Sequence, residues 1–143
     1  MSSTLPSPRL VALLLCNTVI EDIRTRNKSF IGCFNAITVS KVPFRMPLLS
    51  LVVALTECRG EQEVLVTICC DDGNEKVEKP FELNATLQSD NPLGVVELIF
   101  ELHGFPINKI GKYTIRVTSK DKSQTIGYRD FQVINSSKTG EKK

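Results

Sequence analysis

Apolar side chains near the end of this sequence fall on every second position. Tyr113, Ile115 and Val117 alternate with Thr114 and Arg116 after a bend at Gly111, and a second run ends on Phe131 and Val133. A repeat of two belongs to a strand with one buried face; a helix would scatter the same residues around its axis. The polar turn Lys120-Asp121-Lys122-Ser123 joins the runs. The chain therefore closes on a β-hairpin of the kind that ends an immunoglobulin-like sandwich. Tyr113 is placed either to hydrogen-bond the backbone before the bend or to bury its ring for area alone.

The same rhythm recurs upstream, over residues 10–17, 29–39, 48–57, 63–70, 77–88 and 95–103. Residues 10–16 are apolar on both faces, which suits a buried central strand better than a signal peptide, since the run is short and only Arg9 precedes it. In 77–88, Val77, Phe81, Leu83, Ala85 and Leu87 alternate with polar residues, and Pro80, which has no N–H to donate, argues for a sheet edge. Arg59-Gly60 predicts a hairpin between 48–57 and 63–70, and Asp71-Asp72-Gly73-Asn74 predicts a turn. Thr18 to Arg26 reads as a helical turn or an irregular loop. The expected fold is all-β, a single-domain immunoglobulin-like β-sandwich of seven to eight strands over residues 10–135. Residues 1–9 are expected to form a flexible N-terminal arm and 136–143 a disordered tail.

Composition narrows the function more than it names it. A net charge of +2 on 143 residues implies neither a nucleic-acid nor a membrane partner by itself. The five cysteines (Cys16, Cys33, Cys58, Cys69 and Cys70) are odd in number and contain no C-x-x-C. They are expected to be reduced, mostly buried thiols in a cytoplasmic protein.

His103 is the only histidine, so any triad would run through it. Glu97 and Glu101 share its strand face, but a row along one strand is too extended to converge on a reacting atom. No phosphate-cradling glycine loop, G-x-S-x-G or H-E-x-x-H occurs. No enzyme, cofactor, metal or small-molecule substrate is expected. What remains is a possible basic stripe: Lys112, Arg116 and Lys120 are spaced by four, with Arg129 on the partner strand able to join them. Two readings follow. The first is a non-enzymatic module working through a protein partner or self-association. The second is a binder of polyanions or nucleic acid through Lys112, Arg116, Lys120 and Arg129.

Three stretches carry a family resemblance: residues 13–22 (LLLCNTVIED), residues 29–34 (SFIGCF), and Gly111-Lys112-Tyr113 with Phe131-Gln132-Val133. In these the chain resembles an uncharacterised family of small bacterial all-β proteins, from about Leu10 to Val133. The resemblance implies a cytoplasmic immunoglobulin-like sandwich and no known activity, and it transfers no catalytic or binding residue. Asn17 stands where the family pattern has Asp.

Overall fold

The computed structural model describes residues 7–71 and 81–136. Twelve strands form there: β1 (Arg9–Cys16), β2 (Thr18–Glu21), β3 (Lys28–Ile31), β4 (Ala36–Val39), β5 (Phe44–Met46), β6 (Leu49–Thr56), β7 (Gly60–Asp71), β8 (Phe81–Ser89), β9 (Val95–Leu102), β10 (Phe105–Ile107), β11 (Gly111–Ser119) and β12 (Thr125–Asn135). Eight of them make two sheets, one in the order β1-β6-β9 and one in the order β4-β12-β11-β7-β8. Pairing is antiparallel within both, except that β4 runs parallel to β12. The remaining four form two-stranded ribbons, β2-β3 and β5-β10. The fold is an immunoglobulin-like sandwich, as the alternation implies. The strand count exceeds the expected seven to eight because the two ribbons add four short strands to eight in the sheets.

The core lies between the sheets. Leu51, Val53 and Leu55 of β6 belong to one buried cluster with Val64, Val66 and Ile68 of β7, Ile115 and Val117 of β11, and Phe131 and Val133 of β12, none more than 2% exposed. Fully burying a side chain of this size contributes about 1.5–3 kcal/mol. The closing hairpin forms as expected, with Tyr113 opposite Phe131 and Gly111 opposite Val133. The Tyr113 hydroxyl donates to Lys109 O at 2.8 Å and accepts from Lys109 N–H at 3.3 Å, tying down the loop that enters β11. Of the two roles open to Tyr113, the backbone tie is made and the ring is buried as well, stacked on Phe131 with centroids 5.2 Å apart.

Four local expectations need correction. Thr18 to Arg26 is not a helical turn or irregular loop throughout: residues 18–21 form strand β2. Residues 48–57 and 63–70 are not a hairpin: β6 and β7 belong to opposite sheets. Positive φ at Glu57 (61°) and Gly60 (64°) swings the chain across, with Cys58 buried between them. Residues 29–39 are two strands, broken after Ile31 by Gly32 at φ 73°. Finally, β1 is the outermost strand of its sheet, and the strand buried on both faces is β6.

The burial of β6 has a tertiary cause. Its outward residues Ser50, Val52 and Ala54 would face water in a bare three-stranded sheet. The chain bends at Asn17, and the β2-β3 ribbon folds back over this face, touching β6 and placing Lys28 Nζ 3.1 Å from Glu97 Oε1 on β9. Across the molecule β8 ends the five-stranded sheet, in line with the edge expected for residues 77–88. Pro80 itself, and Asp72 to Asn74 of the expected turn, lie outside the described residues.

Candidate interaction surface

The outer face of the five-stranded sheet carries part of the basic stripe. Lys112 and Arg116 project from β11 and are exposed, with the Arg116 guanidinium 5.8 Å from the ring centre of Tyr128. Between them Thr114 donates to Asp130 Oδ1 at 2.8 Å. Lys120 lies one residue past β11 and pairs with Glu63 at 2.8 Å, while Lys122 pairs with Glu82 at 3.3 Å. The hydrogen bond to Glu63, and then its charge, hold the Lys120 ammonium above the ordinary lysine value. The face is thus a mixed field of both signs, with Glu63, Glu82 and Asp130 among the cations.

Arg129 does not join that face. It sits opposite Ile115, whose side chain is in the core, so it points to the inner side of the sheet. From there its guanidinium donates to Leu13 O at 2.7 Å and to Asn35 Oδ1, bridging β12 to β1 along the open side of the sandwich. The sequence already held this signal. Arg129 has the parity of Phe131 and Val133, both inward, and the stripe overlooked it.

The β2-β3 ribbon presents a different surface. Thr18 pairs with Ile31, Val19 with Phe30, Ile20 with Ser29 and Glu21 with Lys28. Val19, Phe30 and Lys28 are half-buried on the side facing the sheet. The alternation leaves Ile20 (51% exposed) and Ile31 (44%) on the solvent side, and Ile23 at the tip is 84% exposed. Asp22 Oδ1 accepts the N–H groups of Arg24 (2.7 Å) and Thr25 (3.1 Å) and so shapes the tip. Around it Arg24 lies 3.9 Å from Asp22 and Arg26 lies 3.8 Å from Glu21. Among the described residues, β3 has no strand on its outer edge. Sequence reasoning missed this surface because a strand of four residues is too short to show a period.

Other concavities are open. One of about 740 Å³ lies between β7 and the β11–β12 turn and is lined by Glu61, Glu63, Lys120, Asp121 and Ser123 among others. Asp121 is held at about 2, first by the Ser123 N–H and then by the hydroxyls of Ser123 and Ser119. His103 is exposed just past β9, where the chain turns toward β10. Among the described residues no group of three or more His, Cys, Asp or Glu side chains is arranged to hold a metal ion.

The sequence matches the family of unknown function DUF6941 over residues 11–132. The chain belongs to this family. Two of its three recognisable stretches meet at the base of the ribbon, where Asn17 N–H lies 3.0 Å from Ile31 O and 3.2 Å from Gly32 O. A Cβ added at Gly32 would collide with the Asn17 side chain.

A search of curated proteins finds no match. Among solved structures, an immunoglobulin-like protein from Pseudomonas aeruginosa aligns at 12% identity and TM-score 0.45, covering 92% of this chain and 99% of that one. β-Glucosidases from Listeria innocua (9% identity, TM-score 0.49, 90% of this chain) and Thermotoga neapolitana (20%, 0.39, 60%) also align. The chain spans about 15–16% of the length of these glucosidases.

Proposed function

We propose that this protein is a non-enzymatic interaction module whose contact surface is the solvent side of the β2-β3 ribbon, and that the occupant of that surface is a second copy of the chain. The observation that carries the proposal is the grouping of Ile20, Ile23 and Ile31, exposed on one ribbon, with charges of both signs around them. Apolar side chains rimmed by charge are costly to leave in water and are common at protein contacts. The tip carries charges of both signs, Arg24 beside Asp22 and Arg26 beside Glu21, which a second copy would meet with the same set. The outer edge of β3 adds backbone donors and acceptors that a second β3 satisfies. A cytoplasmic location fits a chain with several free thiols.

Sedimentation of the full chain over a wide concentration range tests the proposal. Dimerisation weakened at least tenfold by Ile20→Asp and by Ile31→Asp supports it. A chain that stays monomeric throughout sinks the second-copy assignment. Binding of a polyanion through Lys112 and Arg116 is the competing reading, and it predicts a steep loss with salt that an apolar contact does not share. Glu63, Glu82 and Asp130, standing among those cations, weaken it.

A further inference from the structure

The two segments stay hydrogen-bonded to each other past the base of the ribbon. The ladder ends with Thr18 facing Ile31, and Asn17 N–H is then shared between Ile31 O at 3.0 Å and Gly32 O at 3.2 Å. Further along, Phe34 N–H donates to Leu15 O at 3.0 Å. Cys16 and Cys33 therefore lie between two cross-links that hold their segments side by side. Residues facing each other on adjacent antiparallel segments have Cα atoms about 4.5–5.5 Å apart. That separation falls within the range a disulfide spans. We infer that Cys16 and Cys33 are a disulfide-forming pair, a modification site at the base of the β2-β3 ribbon.

The two thiols differ in the way a stepwise reaction needs. Cys33 is exposed, and its Sγ touches Phe30 O at 3.9 Å, a weak contact that a rotation about Cα–Cβ releases. Cys16 is fully buried. Burial first, and Cys33 second, raise its pKa. A small disulfide such as oxidised glutathione therefore meets Cys33 first. The Cys33 thiolate attacks one sulfur of the reagent and expels one glutathione thiolate, which takes up the proton Cys33 has lost. Cys16, losing its own proton, then attacks Cys33 Sγ and expels the second glutathione as a thiol. Two protein thiols are oxidised, one glutathione disulfide is reduced, and no other reactant is needed.

The other cysteines are placed differently. Cys69 and Cys70 are adjacent on β7, opposite Thr114 and Tyr113, so their side chains leave on opposite faces of the sheet. Cys58 is buried at the crossover from β6 to β7.

The test is to oxidise the folded, reduced full chain with oxidised glutathione, block remaining thiols, digest with trypsin and read the linked peptides by mass spectrometry. Arg24, Arg26 and Lys28 lie between the two cysteines, so cleavage separates them unless the bond has formed. The expected result is a Cys16–Cys33 link, with free thiols falling from five to three and returning on reduction. Cys33→Ser, at an exposed position, should retain all four of its thiols with an unchanged circular dichroism spectrum. Cys16→Ser should stop at the glutathione adduct of Cys33. A wild-type chain that stops at that adduct, links another pair, or keeps five free thiols overturns the inference. Every one of these outcomes is independent of the proposed dimer.

Discussion

Replacing Tyr113 by Phe removes one oxygen atom and leaves the ring where it is. The lost hydroxyl bonds to Lys109, donating to Lys109 O at 2.8 Å and accepting from Lys109 N–H at 3.3 Å. A hydrogen bond of good geometry contributes about 0.5–1.5 kcal/mol net, and the longer one belongs at the bottom of that range. Lys109 is only half-buried, so its backbone groups recover part of the loss through water. The expected destabilisation is about 1–2 kcal/mol, or a fall in Tm of roughly 3–6 °C for a chain of this size. The stack on Phe131 survives in Tyr113→Phe and is lost in Tyr113→Leu, which should cost a further ~1 kcal/mol or more. Urea unfolding followed by far-ultraviolet circular dichroism measures both, since the chain has no Trp to report by fluorescence. Amide exchange at Lys109 should accelerate in Tyr113→Phe while exchange in β6 tracks only the global change. A Tyr113→Phe chain within about 0.3 kcal/mol of wild type would mean that the tyrosine serves by ring burial alone and that the hydroxyl tie adds nothing.

Arg129→Ala should destabilise by about 1–3 kcal/mol in the same unfolding assay, because Leu13 O loses a charged donor at 2.7 Å. Arg116→Ala, on the exposed face, should change stability by less than about 0.5 kcal/mol, and equal effects of the two would contradict their placement on opposite sides of the sheet. Gly32→Ala should cost about 1–3 kcal/mol, since φ is 73° there and the new Cβ meets the Asn17 side chain. Asp121 should titrate at about 2 in the folded chain against an ordinary value of 3.8. Its folded pKa is depressed, so the stability it contributes is fully present above that ordinary value and is lost as the pH falls toward 2. Carboxyl titration by NMR checks this, and a midpoint near 4 would show that the Ser119 and Ser123 bonds do not form in solution.

Much of the fold is legible in residue order because a strand with one buried face writes its exposure pattern directly into the sequence. Tyr113, Ile115, Val117, Phe131 and Val133 announce the closing hairpin and the side it buries. The same parity places Arg129 inward, away from the basic stripe. What sequence pattern could not supply was pairing between distant segments. Arg59-Gly60 looks like a hairpin turn, yet positive φ at Glu57 and Gly60 carries the chain into the other sheet. The doubly buried β6 and the less buried β1 are both apolar runs, and only the ribbon folded over β6 distinguishes them. The exposure of the isoleucines of that ribbon is a tertiary fact of the same kind. Alternation depends on each residue and its near neighbours, so the sequence determines which face of a strand is apolar. Which strand lies against that face depends on contacts between residues far apart in the chain, and the tertiary structure alone decides it.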